Sequence, residues 1–164
     1  MAAAEKAIAD AKAKEADLYV QDLFATAEDD MKKANDMVAA KKYDEAKAAA
    51  LEASKMAQQA AAQVDQNKQK MKAEVEAMLP DIQKAIDETK ALAATAIKKK
   101  AVASKDEVQS AIGKLELDMT NVKDQLQAGK IRQAGDLAKS LSEQVNAQKQ
   151  SLTDAIGQPK AAKK

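Results

Sequence analysis

The chain of 164 residues has no cysteine, no histidine and no tryptophan. Without thiolate or imidazole there is no ligand set for structural zinc, haem, iron–sulfur or copper centres. Neither a Ser-His-Asp nor a Cys-His nucleophile can be assembled. Glycine occurs four times and proline twice, so residues that interrupt helices are rare. Tyr19, Phe24 and Tyr43 are the only aromatics, and Arg132 is the only arginine. Nucleic-acid binders supply guanidinium forks and stacking aromatics, and their scarcity argues against such a partner. No run of about 18 apolar residues is present to cross a bilayer. No secretory signal is visible, and "MAAAEK" reads as the start of a processed chain behind an initiator Met.

What remains is a helix-forming alphabet. Apolar residues are 46% of the chain and charged residues 32%, too apolar for a disordered segment and too charged for a membrane span. Alanine, lysine, glutamate and glutamine dominate, and strand formers never cluster into an alternating run. The 27 basic and 26 acidic side chains leave a net charge of +1. The densest acidic cluster, "EDD" at 28–30, reads as a solvated helix face, with Glu28–Lys32 and Asp29–Lys33 spaced for i,i+4 pairing. No aspartate-rich loop with a turn glycine is present for calcium. The sequence assigns no catalytic, cofactor-binding or metal-ligating residue.

Helix punctuation predicts six segments. The first covers Ala3 to Lys14 and the second Asp17 to Ala40, with Leu18, Leu23, Phe24, Ala27, Met31, Ala34, Met37 and Val38 on one face. The stripe loses phase at "AKKYDEA", the mark of a tight helix–helix turn. A third helix begins at Tyr43 with an inner face of Ala46, Ala49, Ala50, Ala53, Ala57 and Ala60, then Val64, Met71, Val75 and Met78. Pro80 predicts a break there, because it lacks an amide donor and crowds the carbonyl of Glu76. The fourth helix runs from Pro80 to Lys99 and closes on "KKK", where cations suit the helix dipole. "SKDE" at 104–107 is a capping box that opens the fifth helix, and Gly129 is a left-handed terminator. The sixth runs from Ile131 to Ile156, with Gly157 and Pro159 after it and "KAAKK" as a frayed tail.

The phrase "EKAIADAKA" (5–13) returns as "QKAIDETKA" (83–91). Beyond it, a shift of 88 residues aligns Phe24 with Ile112, Met31 with Met119, Ala40 with Ala128, Tyr43 with Ile131, and Ala46 and Ala50 with Ala134 and Ala138. The second copy carries about ten additional residues, "LAATAIKKKA", after its phrase. Alanine–lysine helices generate coincidences of this kind, but here the order of the turns also matches. The expected architecture is therefore all-α: an elongated antiparallel helical bundle of two tandem three-helix repeats, 1–79 and 80–157, followed by a flexible Lys-rich tail, 158–164. Alanine seams allow helix axes to approach closely. Asn67 and Lys68 interrupt the seam and suggest an overhanging third helix. Gly113 and Gly135 lie inside helices, read as ordinary tolerance or as close backbone approach.

"AKKYDEAKAAALEAS" (40–54) resembles the second-helix start of tetratricopeptide-type hairpins, without their 34-residue period. Residues 5–60, which include "AIADAKAKEADLYVQDLFATAEDDMKKANDMVAAKKYDEAKAAALEA", resemble an Ala-rich helical domain family of unknown function found in lipoproteins of the Gram-negative envelope. That family reads as a short alanine helix, a tyrosine and a turn, a leucine-bearing helix, and a last helix opened by "Y-x-x-A", here Tyr43 and Ala46. Val20 or Gln21 stands where it usually has proline. The resemblance implies periplasmic, outer-membrane-associated residence, a lipidated cysteine ahead of the first residue, and no enzymatic activity.

The expected function is that of a non-catalytic scaffold, spacer or adaptor of the bacterial envelope, with a protein or envelope component as partner and no cofactor. One alternative is a lipid- or granule-surface protein whose amphipathic helices open onto an apolar phase. Another is a peptide-binding adaptor that uses Met31, Met37, Met56, Met71, Met78 and Met119 as an adaptable surface.

Overall fold

The computed structural model describes residues 1–157. Among the described residues six helices follow in order: α1 (Ala2–Ala13), α2 (Ala16–Tyr19), α3 (Gln21–Ala39), α4 (Tyr43–Lys98), α5 (Lys105–Gln127) and α6 (Ile131–Gly157). Among the described residues there is no strand, and the fold is all-α. Pro159 and the "KAAKK" tail lie outside the described residues. The chain divides into two compact units, Met1–Lys70 and Met71–Lys164.

In the first unit α1, α3 and the early part of α4 share a core of Ala4, Met31, Ala34, Ala50 and Ala53, flanked by Ile8 and Ala49. Ala46, Ala50, Ala53, Ala57 and Ala60 follow one face of α4, and all are buried. Each methyl contributes only about 0.8 kcal/mol, so this core gains its strength from the length of the seam. The expected second helix is two: Val20, at φ −139° and ψ 50°, separates α2 from α3. No breaker residue marks this position. The interruption turns Leu18 out of the stripe, leaving it 39% exposed, while Phe24, Ala27, Met31 and Ala34 keep the buried face.

In the second unit the later part of α4, α5 and α6 enclose one core that includes Val75, Ile82, Ile86, Ile112, Leu115, Met119, Leu141, Val145 and Leu152. Lys90 meets Glu116 and Lys114 meets Gln144, so α5 runs antiparallel to both neighbours. Gly135 lies against Val75 and Lys149 against Glu88, so α4 and α6 run in the same direction. Thr89 is fully buried, and its hydroxyl donates to the Ala85 carbonyl at 2.7 Å, satisfied within its own helix.

Pro80 does not break the helix; it sits inside α4. Its ring removes the donor that would serve the Glu76 carbonyl, at a cost of about 3 kcal/mol in a helix interior. Both residues are exposed, so water can solvate the orphaned carbonyl. On the other face Val75, Ile82 and Ile86 are anchored in the core on either side of the proline and hold the helix through it.

Helix ends follow their local chemistry. The Ser104 hydroxyl accepts from the Glu107 amide at 3.2 Å and starts α5, the serine half of the expected capping box; the return bond from the Glu107 carboxylate is not formed. Gly129, at φ 73°, ends the α5 side of its turn. There the Lys130 amide donates to the Gln125 carbonyl and the Gly129 amide to the Leu126 carbonyl, the paired bonds of a Schellman motif. The α3–α4 turn closes the same way: Lys42 donates to Met37, and Lys41 to Val38, with Lys41 itself at φ 60°. At the end of α4, Ala101 donates to Ala96 and Lys100 to Ile97, with Lys100 at φ 53°.

Candidate functional site

In the first unit the polar side chains that converge are Glu15, Asn67 and Lys68, around Tyr19. Glu15 occupies a left-handed conformation at φ 67° between α1 and α2. Its carboxylate receives the Lys68 ammonium at 2.6 Å. The same Lys68 Nζ lies 5.2 Å from the Tyr19 ring centroid, within cation–π range. Asn67 Nδ2 donates to the Tyr19 carbonyl at 2.9 Å, at the end of α2. The hydrogen bond to Glu15 raises the Lys68 pKa. Asn67 and Lys68, read in sequence as interruptions of an overhanging seam, are therefore the anchors of the α1–α2 corner. The interaction fixes backbone geometry at this corner.

In the second unit the charged groups that meet across helices are Glu88 with Lys149 and Lys90 with Glu116. The hydrogen bond from Lys149 lowers the Glu88 pKa, and the one to Glu116 raises that of Lys90. These groups are largely solvated, and such pairs contribute little to stability individually.

The "EDD" cluster pairs differently from expectation. Asp30 binds Lys33 at 2.8 Å with i,i+3 spacing, in place of the expected Asp29–Lys33 bond. Asp30 is the more buried partner, and this bond raises the Lys33 pKa. Of the methionines, Met31 and Met119 are core residues, while Met37, Met56, Met71 and Met78 are half-buried. Gly113 and Gly135 differ. A Cβ on Gly113 would meet nothing within 4 Å, whereas one on Gly135 would lie 3.4 Å from Val75 Cγ2. Gly135 therefore marks where α6 approaches α4 closely, and Gly113 leaves open space.

Among the open grooves between helices, two have largely alanine or aliphatic walls. One, of about 660 Å³, lies between α1 and α4 in the first unit, walled by Ala3, Ala7, Ala61 and Ala62 with Lys6 and Asp10 beside it. The other, of about 300 Å³, lies between α4 and α5 in the second unit, walled by Ala93, Ile97, Val108 and Ile112 and left open at Gly113. Sequence reasoning missed it, although an interior glycine on α5 was its visible signal. Among the described residues no group of three or more His, Cys, Asp or Glu is placed to hold a metal ion. No described helix is long and apolar enough to cross a membrane.

No protein-family model matches the chain, and neither a curated protein nor a solved structure is significantly similar to it.

Proposed function

We propose that the protein is a non-catalytic helical scaffold or adaptor of the bacterial cell envelope, built from two tandem copies of one three-helix unit. The observation that carries the architectural part is the correspondence under a shift of 88 residues. The hydrogen bonds Lys42 to Met37 and Lys41 to Val38 become Lys130 to Gln125 and Gly129 to Leu126. Buried Phe24, Met31, Ala46, Ala53, Ala57 and Val64 correspond to buried Ile112, Met119, Ala134, Leu141, Val145 and Leu152. Conserving both turn and burial through a shift with alanine exchanged for leucine or valine is what duplication followed by core enlargement produces.

The functional part rests on how the polar groups are used. Glu88 with Lys149 and Lys90 with Glu116 join one helix to another, and Lys68 joins α4 to Glu15 at the α1–α2 corner. Such groups stiffen a surface and leave its faces available to a partner. The envelope location rests on the likeness of residues 5–60 to the lipoprotein domain family.

Fractionation of the cells that make the protein, with intact-mass analysis and cross-linking in place, tests this reading. It expects an envelope fraction, a lipid-modified amino end and cross-links to a defined envelope component. A cytosolic, unmodified protein would contradict the location. A measured turnover would contradict the non-catalytic role.

A further inference from the structure

The α4–α5 end of the second unit combines two features that its core does not require. α1 ends directly after the phrase "EKAIADAKA", whereas α4 continues past "QKAIDETKA" to Lys98. From Thr89 to Lys105 the sequence contains five lysines and no carboxylate. Lys72, Lys90, Lys114 and Lys149 of this unit each pair with an acid. Lys98, Lys99, Lys100 and Lys105 are exposed and make no ion pair with a described residue. The nearest acids along the chain, Asp106 and Glu107, lie in the first turn of α5, where the helix dipole favours negative charge.

The second feature is the apolar groove of about 300 Å³ between the same two helices. Its walls include Val108 and Ile112, each 8% exposed, and the half-buried Ile97. The Lys90–Glu116 pair closes one end. The other end leads to the lysines: Lys98 follows Ala94 by four residues, and Lys105 precedes Val108 by three and Ile112 by seven. On a helix these spacings share a face, so Lys98 and Lys105 continue the groove-lining faces of α4 and α5 beyond its open end.

We infer that this groove and its lysines form a binding site for an anionic lipid, the acyl chain lying along Ile97, Val108 and Ile112 and the headgroup held by Lys98, Lys99, Lys100 and Lys105. Charge complementarity selects the headgroup, and the apolar walls select a chain over a free anion. An acidic peptide fits less well, because the floor of the groove at Ala93, Ile97, Val108 and Ile112 is hydrocarbon and the carboxylate of Glu116 at its closed end repels a chain of acids. Near an anionic surface each lysine is worth roughly a fivefold change in affinity, so losing three removes about a hundredfold.

Flotation of the full chain with phosphatidylglycerol-containing and pure phosphatidylcholine vesicles tests the site. The variants are the triple Lys98→Gln, Lys99→Gln, Lys100→Gln; the groove-filling Gly113→Leu; and the tail control Lys160→Gln, Lys163→Gln, Lys164→Gln. Gly113→Met serves as a second groove filler, and circular dichroism checks that each variant is folded. The site predicts binding to the anionic vesicles alone, about a hundredfold loss in the lysine triple, at least a severalfold loss on filling the groove, and little change in the tail control. Absent binding, binding indifferent to the lysine triple or to both groove fillers, or loss in the tail control alone would each overturn it. So would an oligoglutamate peptide that binds more tightly than the vesicles.

Discussion

Lys41 and Gly129 stand 88 residues apart in the same left-handed conformation, at φ 60° and 73°, each at the centre of a turn closed by the same pair of backbone hydrogen bonds. Only one of them is glycine. A lysine in this region carries a steric cost of roughly 1–2 kcal/mol that glycine escapes. Lys41→Gly should therefore stabilise the protein, by about 0.5–1 kcal/mol once the extra freedom of glycine in the unfolded chain is subtracted. Gly129→Ala should destabilise it by about 1 kcal/mol. Urea unfolding of both variants measures the two signs; matching signs would mean that the turns are not equivalent.

Helical glycines give the opposite substitution. Gly113→Ala adds a methyl in open space, and Gly135→Ala places one in ordinary contact with Val75 Cγ2 at 3.4 Å. Each should gain up to about 1 kcal/mol from helix propensity. Gly135→Leu should instead lose about 1–3 kcal/mol by overpacking the α4–α6 contact. Thermal denaturation separates them, and equal responses to Gly135→Ala and Gly135→Leu would refute the close approach.

Pro80→Ala restores the amide donor to Glu76 within α4. The expected gain is about 2–3 kcal/mol, read in chemical denaturation, with a rise in helical ellipticity small enough to show that the helix was already continuous. A large rise would mean that the wild-type helix is broken at the proline.

The ion pairs set a pH dependence of known sign. Lys149 holds the Glu88 pKa below its ordinary value of 4.5. Its stabilisation is therefore complete above that value and is lost as pH falls through the lower folded value. Glu15 holds the Lys68 pKa above 10.5, so that stabilisation is complete below 10.5 and is lost as pH rises through the folded value. Lys149→Met should flatten the acid limb of a Tm–pH profile, and Glu15→Gln the alkaline limb. A crossed result, with each variant altering the other limb, would refute the assignments.

Asn67→Ala removes the donor to the Tyr19 carbonyl, at a cost of about 1 kcal/mol. Amide exchange should accelerate first around Val20, where α2 meets α3. Exchange that accelerates evenly across the unit would deny the corner its separate anchor.

Helix ends were readable wherever the deciding chemistry lay within a few residues. The Ser104 hydroxyl caps α5 by itself, and Gly129 supplies its own left-handed turn. The break at Val20 was not readable, because the group bonded beside it, Asn67, comes 48 residues after its partner Tyr19. Pro80 misled for the converse reason: its cost is local and visible, while the anchoring of Val75, Ile82 and Ile86 that overrides it is tertiary. The α4–α5 groove needed two helices in register, and the sequence offered only Gly113 and an acid-free run of lysines as its trace.

The proposed repeat is tested most directly by solving the structure of the full chain in solution by NMR and superimposing α3 and the start of α4 on α5 and α6 under the 88-residue shift. The account predicts that Lys41 and Gly129 coincide at positive φ and that Phe24 and Met31 overlay Ile112 and Met119 on the buried face. Turns of different type, or inward faces out of register by a helical position, would contradict it.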